Sequence, residues 1–148
     1  MIARFFIAGI STPKARPRVV RAKKTGFPIT YTPKSTVQWE RTITLEYQRQ
    51  CKGIFFDKTL ALRISIEIVM PGSGSPASIR GDWENHAKSL CDALNSVAWH
   101  DDSQITEAHV LKRRARKSEA VGVHVEIEAM DQCALFESQK EVKPAVGF

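Results

Sequence analysis

The feature that most constrains the fold is a run of alternation at residues 60–70. Every second position there is apolar, and these positions are Leu60, Leu62, Ile64, Ile66, Ile68 and Met70. Arg63, Ser65 and Glu67 stand between them. Because successive side chains of a strand point to opposite faces of a sheet, the run predicts a β-strand with one face in the core.

Two more elements are predicted before this strand. Residues 2–10 are short and apolar, which is typical of a buried strand. A helix is expected to begin at Ser35, with Gln38 as its capping-box partner. Its apolar residues recur every four positions and define a buried stripe of Trp39, Ile43, Tyr47 and Cys51. Residues 11–34 are rich in proline and basic side chains, which indicates a long loop or an irregular hairpin.

Three elements are predicted after the alternating strand. A second helix covers roughly residues 83–96, and two strands cover about residues 105–113 and 121–130, joined by a basic turn as an antiparallel hairpin. The order strand, helix, strand, helix, strand, strand indicates an α+β domain with two helices packed on one face of a mixed sheet. We expect this domain at residues 1–130 and a C-terminal tail at residues 131–148.

Composition is that of an ordinary globular protein. The 148 residues, 43% of them hydrophobic and 26% charged, suffice for one domain with its own core. No apolar run is long enough to span a bilayer and the N-terminus lacks a signal-peptide pattern, so we expect a cytoplasmic protein with no membrane partner. The three cysteines are far apart and lack CxxC spacing, which favours reduced thiols over disulfides or a zinc site.

Charge is distributed unevenly along the chain. Residues 82–107 hold six carboxylates against one lysine, a net charge of −5, so the rest carries +11 and the whole chain +6. A positive surface suits a polyanionic partner. Clustered carboxylates with few histidines suit Mg²⁺ or Mn²⁺ better than zinc. Together these features indicate a metal-dependent enzyme that acts on nucleic acid.

The second predicted helix separates an apolar face from a charged one. Its apolar stripe consists of Trp83, Ala87, Leu90, Cys91 and Leu94. Its charged face carries Glu84, Lys88 and Asp92. Asp82 lies at the helix start, where the positive end of the helix dipole favours anions. Asp101 and Asp102 follow the helix, and we expect Trp99 to anchor their loop in the core and bring the pair back toward Asp82.

Each of these features also has an ordinary structural interpretation. Charges four residues apart on a helix form solvated ion pairs worth about 0.3–0.5 kcal/mol each. Asp82 could simply cap the helix, and Asp101 with its neighbours could form a turn. His86 and His100 are expected at the surface or behind the metal ligands. Spacing alone leaves these alternatives open.

Two basic clusters flank the acidic segment. The first comprises Lys14, Arg16, Arg18, Arg21, Lys23, Lys24 and Lys34, and the second comprises Lys112, Arg113, Arg114, Arg116 and Lys117. Runs of charge usually form solvated surface. On either side of an acidic site, in a chain with a pI of about 9.4, they favour contact with the DNA backbone. An RNA-binding module is the weaker interpretation, because the glycine-aromatic strand signature of common RNA readers is absent.

Motifs in a fixed order carry a family resemblance. The central ones are GDWENHAK at residues 81–88, DALN at residues 92–95 and WHDDSQI at residues 99–105. They resemble the RusA family of Holliday junction resolvases, whose usual form is Asp-x-Asp-Asn-x-x-Lys, then Asp-Ala-Leu-Asn, then Asp-Asp-x-Gln before a strand. KARPR at residues 14–18 and YTPK at residues 31–34, followed by a helix containing Glu40, are also typical. The resemblance covers roughly residues 2–130.

The resemblance implies a homodimeric, Mg²⁺-dependent endonuclease, with Mn²⁺ as an alternative ion. Such enzymes cut four-way DNA junctions by paired nicks across the branch point and are often carried by phages and prophages. A two-fold dimer presents two active sites to a branched DNA of near two-fold symmetry.

Matching the motifs position by position assigns residue roles. The implied metal-binding acids are Asp82, Glu84, Asp101 and Asp102. The implied catalytic residues are Asp82, Glu84, Asp102 and the lysine Lys88, and the supporting positions are Asn85 and Asp92. The family usually has aspartate where this chain has Glu84, and the extra methylene moves the carboxylate by about an ångström. Such a shift can lower a rate about a hundredfold. The alternative function is therefore a non-catalytic protein that binds DNA junctions, its metal site weakened by Glu84.

Overall fold

The computed structural model describes residues 1–131. Its elements in chain order are β1 (Ile2–Ala8), β2 (Arg18–Arg21), β3 (Pro28–Tyr31), α1 (Lys34–Gln50), β4 (Leu62–Met70), α2 (Trp83–Leu94), β5 (Ile105–Arg114) and β6 (Gly122–Ala129). No helix in this part of the chain is long and apolar enough to cross a membrane. The tail predicted at residues 131–148 lies outside the described residues except for its first residue, so the domain boundary stays a prediction.

The main sheet is mixed and has four strands in the order β1-β6-β4-β5. β6 runs antiparallel to both of its neighbours, β1 and β4, whereas β4 and β5 run parallel. β2 and β3 form a separate antiparallel hairpin. The predicted α+β class with a mixed sheet is therefore confirmed.

One face of this sheet forms the core with both helices. The alternation in β4 is confirmed, because Leu62, Ile64, Ile66 and Ile68 are all buried. They pack in one cluster with the predicted α1 stripe of Trp39, Ile43, Tyr47 and Cys51 and with Leu90 and Leu94 of α2. The opposite face carries cross-strand ion pairs, such as Arg4 with Glu126 at 2.5 Å. No helix of residues 1–131 packs over that face.

The predicted β5–β6 hairpin is wrong. β4 lies between the two strands and pairs with both of them. Alternation determines which face of a strand is buried but not which strand lies beside it. Here β6 also has to pair with β1, and that arrangement leaves β5 to pair with the free edge of β4.

Two helix predictions also need correction. α1 begins at Lys34, and no side chain caps it, so the expected capping box of Ser35 and Gln38 is absent; the first turn bonds to the carbonyl of Pro33 instead. In α2, Trp83 is 52% exposed and not part of the buried stripe. It is the first residue of the helix and lies beside the surface of edge strand β5, beyond the reach of the core.

Candidate active site

The start of α2 depends on a glycine. Gly81 has φ +88°, and a β-carbon there would lie 2.9 Å from both His86 Nε2 and Pro13 Cγ. Other residues are strained at such φ values and would also clash here. Gly81 therefore turns the chain sharply just before Asp82 and lets the loop before α2 pack closely on the segment that follows β1.

Three further contacts hold this turn. Lys112 of β5 donates from Nζ to the carbonyls of Gly81 at 2.8 Å and Ile79 at 3.2 Å. The buried imidazole of His86 contacts the Arg80 carbonyl through Nε2 at 3.0 Å and the Ser11 hydroxyl through Nδ1 at 2.8 Å. Since a carbonyl only accepts, Nε2 carries the proton and Nδ1 accepts from Ser11. Burial lowers the pKa of His86, which favours this neutral form.

The third contact joins the turn to the basic segment before β2. The backbone N–H of Lys14 donates to the carbonyl of Asn85 at 2.8 Å. Its ammonium forms ion pairs with Glu40 of α1 and, at 3.1 Å, with Asp92 of α2. Burial opposes the charge of Lys14, but hydrogen bonds to both carboxylates outweigh that cost and raise its pKa. Lys14 thus ties the basic segment to both helices.

The side chain of Gln104 stabilises the turn that carries Asp101 and Asp102. Its side-chain oxygen accepts from the backbone N–H groups of His100 at 2.8 Å and Asp101 at 3.2 Å. Its amide donates to two carbonyls in the loop before β4, at residues 57 and 60. Asp101 caps the short 3-10 helix Asp102–Gln104 by accepting from the N–H of Ser103. Hydrogen bonds from the side chain and the backbone of Ser103 lower the pKa of Asp101.

Trp99 anchors the same loop, as the sequence predicted. Its side chain is fully buried, and its Nε1 donates to Asn95 Oδ1 at 2.7 Å. Asp102 lies close enough to α2 to act on Cys91. Burial, with smaller contributions from the carboxylates of Asp102 and Asp92, raises the pKa of the Cys91 thiol to about 12.

The six carboxylates of the acidic segment fall into two sets. Three are engaged with protein groups: Asp92 with Lys14, Asp101 with Ser103, and Glu107 with Arg63 and His109. Within residues 1–131 the other three, Asp82, Glu84 and Asp102, have side chains with no hydrogen bond or ion pair. Asp82 stands at the N-cap position, but its carboxylate makes no cap bond. Helix capping therefore does not account for Asp82, whereas turn formation does account for Asp101.

Lys88 lies on the exposed face of α2, and its side chain makes only a weak ionic contact there. Its nearest ionic partner is Asp92 at 4.0 Å, and 61% of its side chain is exposed. Glu84 makes no ion pair with Lys88, so the ion pairs expected between charges four residues apart along α2 are only partly formed. The Lys88 ammonium therefore remains available to an anion from outside the chain.

The three unpartnered acids fit a hard divalent cation by donor type. Carboxylate oxygens are the ligands that Mg²⁺ and Mn²⁺ prefer. Within residues 1–131, no three His, Cys, Asp or Glu side chains lie close enough together to hold a metal ion. Asp82 and Glu84 stand at the start of α2, whereas Asp102 lies near enough to Cys91, further along the helix, for its charge to raise the pKa of that thiol.

The two basic clusters differ in how much of their charge is used inside the protein. In the first, Arg16, Arg18, Arg21, Lys23, Lys24 and Lys34 are exposed, and only Lys14 is held in an internal ion pair. In the second, Arg113 forms ion pairs with Glu67 and Glu119. Arg114 donates to the carbonyl of Pro71, and Lys112 donates to the carbonyl of Gly81. Arg116 and Lys117 remain exposed.

Sequence reasoning missed several residues that shape this site. It singled out neither Gly81 nor Gln104 beyond quoting them within motifs, and it placed Lys112 among the DNA-binding residues. All three make contacts with residues distant in sequence, which residue spacing does not reveal. A signal was present for Gln104, since an amide one turn after paired aspartates can cap their turn.

A comparison with protein families matches most of the chain. The model of the family described as Endodeoxyribonuclease RusA matches residues 9–128. That span includes Lys14, Lys88, Lys112 and all six acids of the acidic segment. No curated protein matches the chain. Since the matched span covers most of the sequence, the chain belongs to the RusA family of endodeoxyribonucleases, the enzymes that resolve Holliday junctions.

Proposed function

We propose that this chain is a Mg²⁺-dependent enzyme that resolves four-way DNA junctions by paired symmetric nicks, in DNA recombination and repair. Nucleases of its family generally depend on a divalent metal. The observation that carries the proposal is the contrast within the acidic segment. The carboxylates of Asp82, Glu84 and Asp102 have no protein partner among residues 1–131, whereas every other carboxylate of that segment has one.

In this proposal the unpartnered acids hold the metal. Asp82, Glu84 and Asp102 would supply oxygen ligands, and Asp101 would shape the turn and add negative charge beside Asp102. A bound ion would supply a more acidic water and a polarised phosphoryl oxygen. Mn²⁺ would satisfy the same donors.

The neighbouring side chains have separate tasks. Lys88 places its ammonium where it can stabilise negative charge that develops on the phosphoryl group. Asn85 and Asp92 are supporting residues. Asn85 fixes the basic segment through its carbonyl, and Asp92 holds Lys14 on α2.

The exposed basic residues of the first cluster are proposed to contact DNA phosphates, together with Arg116 and Lys117. Contacts to phosphate give affinity and register without reading the bases. That suits an enzyme that selects the shape of its substrate. Lys112, Arg113 and Arg114 have internal partners that compete with such a role.

The proposed active form is a homodimer, because paired nicks need two active sites. The sheet face opposite the helices offers a surface for a second copy. It forms a shallow cavity of about 940 Å³ whose lining includes Phe6, Trp83 and Leu111. Light scattering on the purified protein would measure its mass, and a monomer that still makes paired nicks would contradict this part of the proposal.

The test is cleavage of a labelled synthetic four-way junction with Mg²⁺, with Mn²⁺ and with a chelator. A linear duplex of the same sequence serves as the control DNA, and Asp102→Asn serves as the control protein. The proposal predicts symmetric nicks that need metal and Asp102 and that spare the duplex. Tight junction binding with no nicks under any metal would contradict it and would favour a non-catalytic junction-binding protein. Glu84→Asp would then be the first variant to examine for restored cleavage.

A further inference from the structure

The β2–β3 hairpin is an exposed arm. All eight residues of its strands are exposed to solvent. Residues 23–26 form its turn, in which Gly26 has φ +68° and donates to the carbonyl of Ala22 at 2.8 Å. A two-stranded ribbon without a packed face is marginally stable in water. This arm therefore has the properties of a segment that is completed by a partner.

The two faces of the arm differ in character. The strand register places Arg18 opposite Tyr31 and Val20 opposite Ile29. The N–H of Ala22 donates to the carbonyl of Phe27 at 2.9 Å, and this bond continues the register to the tip of the arm. Since opposite residues share a face, Val20, Ala22, Phe27, Ile29 and Tyr31 lie on one face, together with Arg18 at the base of the arm. Phe27 ends it, 72% exposed and next to the turn.

The arm is tethered at the candidate active site. Only three residues separate β2 from Lys14, whose backbone bonds to Asn85 and whose ammonium pairs with Asp92. On the other side, β3 leads directly into α1. Strand residues advance about 3.3 Å each, so Phe27 can lie about 15 Å beyond the tethered end of the arm. A DNA backbone held at the active site would place neighbouring base pairs within that reach.

Charge decides what kind of partner fits the arm. Residues 1–39 contain eight lysines and arginines and no aspartate or glutamate. A second copy of the arm would bring like charges together, whereas DNA supplies phosphates for the basic residues. The apolar surfaces that DNA offers are the faces of its bases. Those faces are covered inside a duplex and become accessible where stacking is interrupted, as at a branch point.

We propose that the arm enters the centre of a DNA junction and that Phe27 stacks on the bases exposed there. This inference rests on the proposed function. It assigns to Phe27 the recognition of the branch, and to the flanking basic residues the grip on the phosphates. Phe27 is then a specificity residue: it raises affinity for branched DNA and contributes little to affinity for duplex.

The test uses full-length protein, with chelator present so that no strand is cut. One probe is a four-way junction with 2-aminopurine at the branch point, which brightens when it leaves the base stack. The other is a linear duplex of the same sequence. The variants are Phe27→Ala, Phe27→Trp and, as a control for an exposed apolar side chain elsewhere, Leu45→Ala on α1. The readouts are the fluorescence change and the two dissociation constants.

Stacking of an aromatic side chain on a base is worth about 1–3 kcal/mol, which is roughly fivefold to 150-fold in affinity. We expect Phe27→Ala to lose the fluorescence rise and at least about fivefold of junction affinity, with duplex affinity unchanged within about twofold. Phe27→Trp should keep the rise, and Leu45→Ala should match the wild type.

Two results would overturn the inference alone: an unchanged fluorescence rise in Phe27→Ala, or an equal loss of affinity for both DNAs. A lower molecular mass of Phe27→Ala by light scattering, with junction affinity intact, would also overturn it and assign the arm to a second copy. A wild-type protein that neither binds nor cuts a junction would instead overturn the proposed function, and this inference with it.

Discussion

The acidic site and the basic arm are joined through Lys14 but are built in opposite ways. The start of α2 is held by bonds to residues from other segments, including Lys14, Ser11 and Lys112. The β2–β3 arm, by contrast, is bonded to itself and exposed along both strands.

The difference follows from what each region has to do. Metal chemistry depends on ligands held within a fraction of an ångström, so rigid support is favoured there. A region that grips a flexible, branched polyanion gains from exposed charge and from freedom to adjust. Basic residues of the same type serve different purposes in the two regions. Lys112 supports a turn, whereas Lys24, at the tip of the arm, is exposed to solvent.

The largest effect is expected from a methyl group at the base of the site. Gly81→Ala would place its β-carbon 2.9 Å from His86 and Pro13, at φ +88°. We expect a loss of about 1–3 kcal/mol in the free energy of unfolding and of at least about a hundredfold in the rate of nicking. Urea unfolding and single-turnover cleavage measure the two.

The matched control is Gly26→Ala in the turn of the arm. Gly26 also has positive φ, but a β-carbon added there would have no atom within 4 Å. Backbone strain should lower the free energy of unfolding of this variant. Its nicking rate at a saturating concentration of junction should not fall by much. Equal nicking defects in the two variants would contradict the difference in support between the two regions.

A smaller effect is expected from replacing a supporting lysine. Lys14→Met would leave Glu40 and Asp92 partly buried without their cation, at a cost of about 1–3 kcal/mol. We expect about a tenfold lower nicking rate at saturating DNA. Lys24→Met should behave in the reverse way, with weaker binding and an unchanged maximal rate. A Lys14 variant that alters only affinity would show that Lys14 acts on DNA directly.

The arm itself is tested by the salt dependence of binding. Each lost phosphate contact lowers the slope of log affinity against log salt by about 0.9. The Arg16→Ala, Arg18→Ala double variant should therefore bind junction more weakly and lose up to about 1.8 in that slope. Lys52→Ala, an exposed lysine after α1, is the control. An unchanged slope in the double variant would remove these arginines from the interface.

The smallest effect concerns acid stability. Hydrogen bonds from Arg113 and from the backbone of Arg116 lower the pKa of Glu119 to about 2, from an ordinary value of 4.5. A carboxyl with a depressed pKa stabilises the fold above its ordinary pKa, and this stabilisation disappears as pH falls from 4.5 toward 2. Glu119→Gln should lower Tm slightly at about pH 7, and the difference should shrink through that window. A difference independent of pH would contradict this cause.

Much of the fold was predictable because one-dimensional patterns report burial directly. The alternation in β4 and the four-residue stripe of α1 were both confirmed. The neighbours of a strand are not encoded locally, which is why the β5–β6 hairpin was wrong. Trp83 shows a related limit, since periodicity does not reveal where a helix passes beyond the core it covers.

For the site, the sequence identified the acidic residues but could not separate those whose carboxylates have protein partners from those whose carboxylates have none. Nothing in the spacing separates Asp101, which caps a turn, from Asp102, whose carboxylate has no protein partner among residues 1–131. The same holds for Lys112 and Lys117, which belong to one charge run but lie in different surroundings. Burial and hydrogen bonds depend on tertiary packing, and only the folded chain specifies them.

The most direct test of the account compares two acids of the same segment. The side chain of Asp102 has no hydrogen bond or ion pair within residues 1–131, whereas that of Glu107 is paired with Arg63 at 3.0 Å on the far face of the sheet. We would measure single-turnover nicking of a four-way junction in Mg²⁺ by Asp102→Asn and Glu107→Gln. The account predicts a loss of more than about a hundredfold for Asp102→Asn and a rate near that of the wild type for Glu107→Gln. Wild-type nicking by Asp102→Asn, or an equal loss in both variants, would contradict it.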